Sequence, residues 1–129
     1  MSNRTNISSG AVWEDLVGYS RAVKVGNIIE VSGTVASDTN GNVVGRDDAY
    51  QQTSFILQKI ETALKDAGAS LKDVVRTRMF VTDISRFQEY ARAHAEVFGS
   101  IKPCTSMLEV KGLVSPDYLI EIEATAILS

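Results

Sequence analysis

A single cysteine, Cys104, and a single histidine, His94, leave this 129-residue chain little metal or redox chemistry. One cysteine closes no internal disulfide, which suits a reducing compartment. One histidine and one cysteine cannot complete a His/Cys zinc site without carboxylates drawn from elsewhere, so neither metal nor other cofactor is expected. An excess of basic charge is missing too: 13 Lys and Arg stand against 16 Asp and Glu, for a net charge of -3. Nucleic-acid binding relies on a concentrated cationic footprint that releases phosphate counterions, so a nucleic-acid partner is not expected. No apolar run reaches the ~20 residues a membrane-crossing helix needs, and no membrane partner is expected. The first residues lack the basic, then apolar, then small-residue order of a secretory signal. A cytoplasmic protein is the expectation.

What remains is the make-up of an ordinary globular domain, with 44% hydrophobic and 22% charged residues, so one core is expected over residues 1–129. The polar start, rich in Ser and Asn, reads as a loosely held lead-in over residues 1–16. Residues 19–25 alternate as a strand, Gly26-Asn27 offers a tight turn, and residues 27–36 return as a second strand. Residues 38–42 form a loop by composition. From about Asp47 the period becomes helical: Ile56, Leu57, Ile60, Ala63, Leu64 and Ala67 fall on one face, with Gln51, Gln58, Glu61 and Lys65 on the other. Gly68 supplies the stop.

Residues 73–84 have strand-like density of Val, Thr, Met and Phe. Ser85 and Gln88 have the spacing of a capping box, opening a second helix to Phe98. Its inner stripe reads Phe87, Tyr90, Ala91, His94, Val97 and Phe98. Residues 104–112 and 118–128 form the last two strands, joined by a turn at Pro116-Asp117. In the last, the period of two puts Leu119, Glu121, Glu123, Thr125 and Ile127 on one face. Ile120, Ile122, Ala124 and Ala126 take the other, which should meet the helices. The order β-β-α-β-α-β-β predicts an α+β fold, two helices packed on one face of a mixed sheet.

Five segments in sequence order carry a family resemblance. They are Gly18-Tyr19-Ser20-Arg21-Ala22-Val23, Val31-Ser32-Gly33, Phe80-Val81-Thr82-Asp83, Pro103-Cys104-Thr105-Ser106-Met107-Leu108-Glu109-Val110, and Leu119-Ile120-Glu121-Ile122-Glu123-Ala124. Together they resemble the RidA/YjgF family of reactive-intermediate deaminases, over residues 17–127. The resemblance implies a chorismate-mutase-like fold, a homotrimer and a small-molecule ligand bound in a cleft between subunits. It also implies hydrolysis of imine or enamine intermediates, which break down spontaneously, so the protein need only orient water and shift protons.

Carried over residue by residue, the resemblance makes Glu121 the catalytic, water-positioning carboxylate; a solvated or salt-bridged strand glutamate is the plainer alternative. Tyr19 matches a pocket tyrosine that closes over the ligand, and Gly33 a glycine whose backbone lies beside it. Thr105 departs from the pattern, standing where the family has the arginine that grips a substrate carboxylate. Arginine makes a bidentate charged contact there, and threonine offers one neutral hydroxyl. Ala91 and Met107 stand where asparagine and cysteine are common. Arg21, on the strand face of Tyr19, and Arg78, mid-strand, either replace the missing cation or sit in interface ion pairs with Glu109, Glu121 or Glu123. His94 reads as a core histidine, Glu123 as structural and Cys104 as a packed thiol. The function expected is therefore a RidA-like hydrolase with altered specificity for a less anionic substrate. A non-catalytic small-molecule-binding trimer is the alternative, and an endoribonuclease or translation inhibitor is the weakest reading.

Overall fold

The computed structural model describes residues 3–129. Six strands form one mixed sheet: β1 (Arg4–Ile7), β2 (Ala22–Val25), β3 (Ile28–Thr34), β4 (Val74–Val81), β5 (Cys104–Glu109) and β6 (Ile120–Ile127). The helices are α1 (Val12–Val17), α2 (Ala49–Asp66) and α3 (Phe87–Phe98), with short 3-10 turns before β4 and α3. The spatial order is β1-β2-β3-β6-β4-β5, so the last strand lies between β3 and β4. All neighbouring strands run antiparallel except β4 and β5, which are parallel and joined through α3. A parallel pair needs such a crossover, because a hairpin cannot join strands running the same way.

The alternation along the final strand is the organising pattern. Ile120, Ile122, Ala124 and Ala126 are buried, while Glu121, Glu123 and Thr125 are partly exposed on the opposite face. The buried set meets Ile56, Leu57, Ile60 and Leu64 of α2, together with Ile29 and Val31 of β3 and Met79 and Val81 of β4. Asp48 caps α2 by accepting the Gln51 N–H at 2.9 Å. The helix ends where Gly68 adopts φ +84°, a left-handed conformation that costs glycine little. Buried Gln52 ties the helix to the chain before β6: its amide donates to the carbonyls of Gly45 and Asp117, and its oxygen accepts the Leu119 N–H. Among the described residues no helix is long and apolar enough to cross a membrane.

Several local readings are corrected. The expected lead-in contains β1, paired with β2, and α1, while Met1 and Ser2 lie outside the described residues. β1 is a polar edge strand with no alternation to reveal it, and α1 is shorter than two turns. The strand expected from residue 19 begins at Ala22. The Ser85–Gln88 capping box does not form. Asp83 instead accepts the Ser85 N–H at 3.0 Å and opens a 3-10 turn, Ile84–Arg86, from which α3 continues. A carboxylate two residues earlier is the stronger acceptor and sets the boundary. The phase of α3 follows buried Tyr90, Ala93, His94 and Phe98, leaving Phe87 52% exposed and Ala91 half-buried. Cys104 is exposed, because β5 is an edge strand.

Truncating the buried face of β6 should be costly. Ile122→Ala is expected to destabilise by about 2–5 kcal/mol in urea denaturation. Phe87→Ala, on an exposed ring, should change stability by about 0.5 kcal/mol or less.

Candidate functional site

The register between β3 and β6 slips between Val31 and Thr34, and Gly33 sits in that irregularity. The missing side chain has a use there. A Cβ on Gly33 would fall on Oε2 of Glu121 and lie 2.9 Å from its Cδ, so only glycine leaves room for the carboxyl group in this position. The Gly33 carbonyl accepts a 2.6 Å hydrogen bond from Nη2 of Arg21. The Arg21 guanidinium lies 5.7 Å from the centre of the Tyr19 ring, within reach of a cation–π contact. Tyr19, Arg21, Gly33 and Glu121 thus gather at the end of β3 and line one open cleft of about 1100 Å³. Its other walls include Trp13 of α1, Phe55 and Lys59 of α2, and the loop at Asp38.

The charges in this cleft are unevenly solvated. Burial raises the pKa of Glu121, and the neighbouring Glu123 adds to the rise against the opposing pull of Arg21. No salt bridge reaches Glu121 among the described residues. Arg78 instead approaches Glu123 at 3.9 Å across the β4–β6 pairing, on the open face of the sheet. Arg21 is only 7% exposed, and its Nε is buried without a hydrogen-bond partner. Burial depresses its pKa while the charges of Glu14 and Glu121 oppose the depression. Burial also pushes the Glu14 carboxyl up, but hydrogen bonds from Ser9 and Ser8 outweigh that and hold it below its usual value.

Lys59 belongs to the cleft and escaped the sequence reading. Its Nζ donates to the Val35 carbonyl at 2.7 Å and to Ser37 Oγ at 3.2 Å. Burial, followed by the nearby charge of Arg21, lowers its pKa to about 8. The available signal was its spacing, three residues beyond Ile56 and four before Ala63, on the edge of the apolar stripe.

Thr105, Met107 and Ala91 lie elsewhere within the chain. β5 is separated from β3 by β6 and β4, about 14 Å away at ordinary strand spacing. Thr105 is exposed at the sheet edge, yet its Oγ1 receives a 2.7 Å hydrogen bond from buried Thr77. Thr77 in turn lies 2.9 Å from Nε2 of His94, which is buried against Phe98. Burial lowers the His94 pKa, keeping the ring neutral at neutral pH. Ala91 lies one helical turn before His94, and Met107 packs at the margin of the core. One chain therefore brings Tyr19, Arg21, Gly33 and Glu121 together and holds Thr105, Met107 and Ala91 apart from them.

A mixed sheet covered by helices on one face, with a carboxyl-bearing cleft at the end of β3, defines the chorismate-mutase-like class of α+β domains. Within that class the chain belongs to the endoribonuclease L-PSP family, the RidA/YjgF family, whose model matches residues 12–128. It is 40% identical to the 3-aminoacrylate deaminase RutC of Acinetobacter baylyi over 111 residues, which span 86% of this chain and 87% of that protein. A RutC family protein of Pyrococcus abyssi is 38% identical, with 84% of each chain covered. A crystal structure from Mycobacterium tuberculosis, of a YjgF/YER057c/UK114 family member, superposes with a TM-score of 0.89 at 50% identity, covering 97% of this chain and 99% of that one.

The position of Glu121 has a thermodynamic signature. Its folded-state pKa lies above the ordinary value of 4.5, so over that interval the folded protein binds more protons than the unfolded one. The ionised carboxylate thus opposes folding at neutral pH, and the penalty fades as pH falls to the ordinary value. Glu121→Gln is expected to raise the melting temperature at pH 7 and to lose that advantage near pH 4. An advantage that is the same at both pH values would place the carboxyl in water rather than in the cleft.

Proposed function

We propose that this protein is a RidA-type hydrolase of reactive imine or enamine intermediates, and that Glu121 is its water-positioning carboxylate. The observation carrying this reading is that Glu121 faces an open cleft, has no salt bridge among the described residues, and has a pKa raised by burial. A raised pKa makes a carboxylate a better proton acceptor than a solvated one, the direction a water-activating base needs. Water adds to the imine carbon as Glu121 takes its proton and passes it to the nitrogen, giving a carbinolamine. The hydroxyl proton then moves to nitrogen through Glu121 as the C–N bond breaks, so ammonia leaves and the carbon keeps a carbonyl oxygen. An enamine first takes a proton at carbon to become the imine. Tyr19 closes the cleft over the ligand, and the Gly33 backbone borders it.

The cleft works between subunits of a homotrimer, which brings Thr105, Met107 and Ala91 of one copy to the Glu121 of another. Support for association comes from the sheet face opposite the helices, where Ile28, Val75, Leu108 and Ile127 are exposed without a layer to cover them. Specificity differs from that of relatives with arginine at the Thr105 position, because a neutral hydroxyl does not compensate a buried substrate carboxylate. In this reading Arg21, which donates to the Gly33 carbonyl, acts as a positioning residue for the β3 irregularity rather than as a replacement for that arginine. The rival reading, a non-catalytic binding trimer, draws on the same loss of arginine and differs in predicting no turnover.

Imines generated in situ by an amino-acid oxidase, with semicarbazide trapping of what survives, separate these readings. The native chain should protect poorly against 2-imino acids, and Thr105→Arg should raise that activity at least tenfold. Adding Glu121→Gln to Thr105→Arg should then lower the rate about 100-fold or more, the usual scale for losing a general acid–base. Silence in both the native chain and Thr105→Arg would sink the hydrolase reading. Gly33→Ala should fold, since the colliding atoms are the end of a flexible side chain, but it should lose most of the turnover gained with Thr105→Arg by driving the carboxyl away.

A further inference from the structure

Three polar groups run from the core to the edge of the sheet at β5. His94 Nε2 lies 2.9 Å from Thr77 Oγ1, and Thr77 Oγ1 lies 2.7 Å from Thr105 Oγ1. Thr77 is wholly buried and His94 nearly so, whereas Thr105 is exposed. A threonine hydroxyl has one proton to give. If Thr77 gives its proton to Thr105, it must accept one from His94, which requires the tautomer protonated at Nε2. The Thr105 proton is then free and points away from Thr77. The opposite sense, with Nδ1 protonated, would turn both hydroxyls inward and leave only acceptor lone pairs at the surface.

We infer that His94 and Thr77 hold Thr105 as an outward hydrogen-bond donor, making it the specificity-determining contact for a neutral acceptor: the carbonyl oxygen of an amide- or ester-bearing imine. The inference rests on the cleft proposed above and names the substrate class it takes. Thr105 touches the ligand, while Thr77 and His94 act through it as positioning residues. Consecutive hydrogen bonds polarise one another, so a hydroxyl already accepting from Thr77 is a better donor than an isolated one. A carboxylate gains less from this hydroxyl than from an arginine, because a neutral donor brings no charge to meet it.

Because His94 is the sole histidine, its ring can be read without assignment in a 15N-labelled sample. Long-range 1H–15N spectra at pH 7 should show the Nε2-protonated neutral tautomer, and that preference should weaken in Thr77→Val. A ring protonated at Nδ1 would overturn the proposal outright. In the same samples, pyruvamide and pyruvate serve as neutral and anionic probes. Pyruvamide should bind about fivefold or more tighter than pyruvate, the scale of one net hydrogen bond. Thr105→Val, an exposed substitution that leaves the Thr77–His94 contact in place, should erase the difference. Equal binding of the two probes, preference for pyruvate, or no response to pyruvamide would each defeat the inference. Absence of imine hydrolysis alongside the expected tautomer and probe preference would defeat only the hydrolase reading.

Discussion

The pairing of β6 with β3 on one side and β4 on the other constrains most of this molecule. Hydrogen-bonded along both edges, the strand cannot shift by one residue without exchanging its two faces. A slip would expose Ile120 and Ile122 and drive Glu121 and Glu123 beneath α2, which neither the apolar core nor the charges tolerate. The same register that packs the helices therefore aims Glu121 at the irregularity beside Gly33. Stability and site geometry share one set of backbone bonds, and the site needs no separate scaffold.

A second consequence follows from the position of that strand. The cleft at β3 and the Thr77–Thr105 contact at β5 lie on opposite sides of β6. The proposed acid–base group and the Thr105 hydroxyl are thus carried by different regions of the chain. In the proposed trimer they meet only across an interface, so recognition can change at β5 while the surroundings of Glu121 stay as they are.

Legibility in the sequence followed burial and period. The long amphipathic stretch of α2 and the alternation of β6 were readable because each repeats its pattern over many residues against a single core. Tyr19, Gly33 and Glu121, singled out by the resemblance, line one cleft. Alternation put Arg21 on a strand that in fact begins at Ala22, and its bond to the Gly33 carbonyl could not be read, since a main-chain acceptor leaves no sequence pattern. β1 and α1 were invisible for a related reason: β1 is a short strand with one apolar residue, Ile7, packed on the core, and α1 depends on Ser8 and Ser9 meeting Glu14. The Ser85–Gln88 spacing misled because Asp83 competes for the same amide, and Phe87 was misplaced with it, one turn too early for the true phase of α3.

The His94–Thr77–Thr105 connection shows why a missing residue is an incomplete description of a site. Set only against the arginine that the resemblance implies at its position, Thr105 suggests a weaker version of the same recognition. Viewed with the residues behind it, the position is occupied by a different device, because a buried imidazole and a buried hydroxyl are costly unless each is satisfied. Thr77 satisfies His94, and Thr105 satisfies Thr77, so the chain of bonds must end at the surface with whatever polarity the imidazole tautomer imposes. An arginine at the same edge would carry its own charge and would need no such backing. Here the protonation state of a ring in the core decides what the edge of the sheet can recognise.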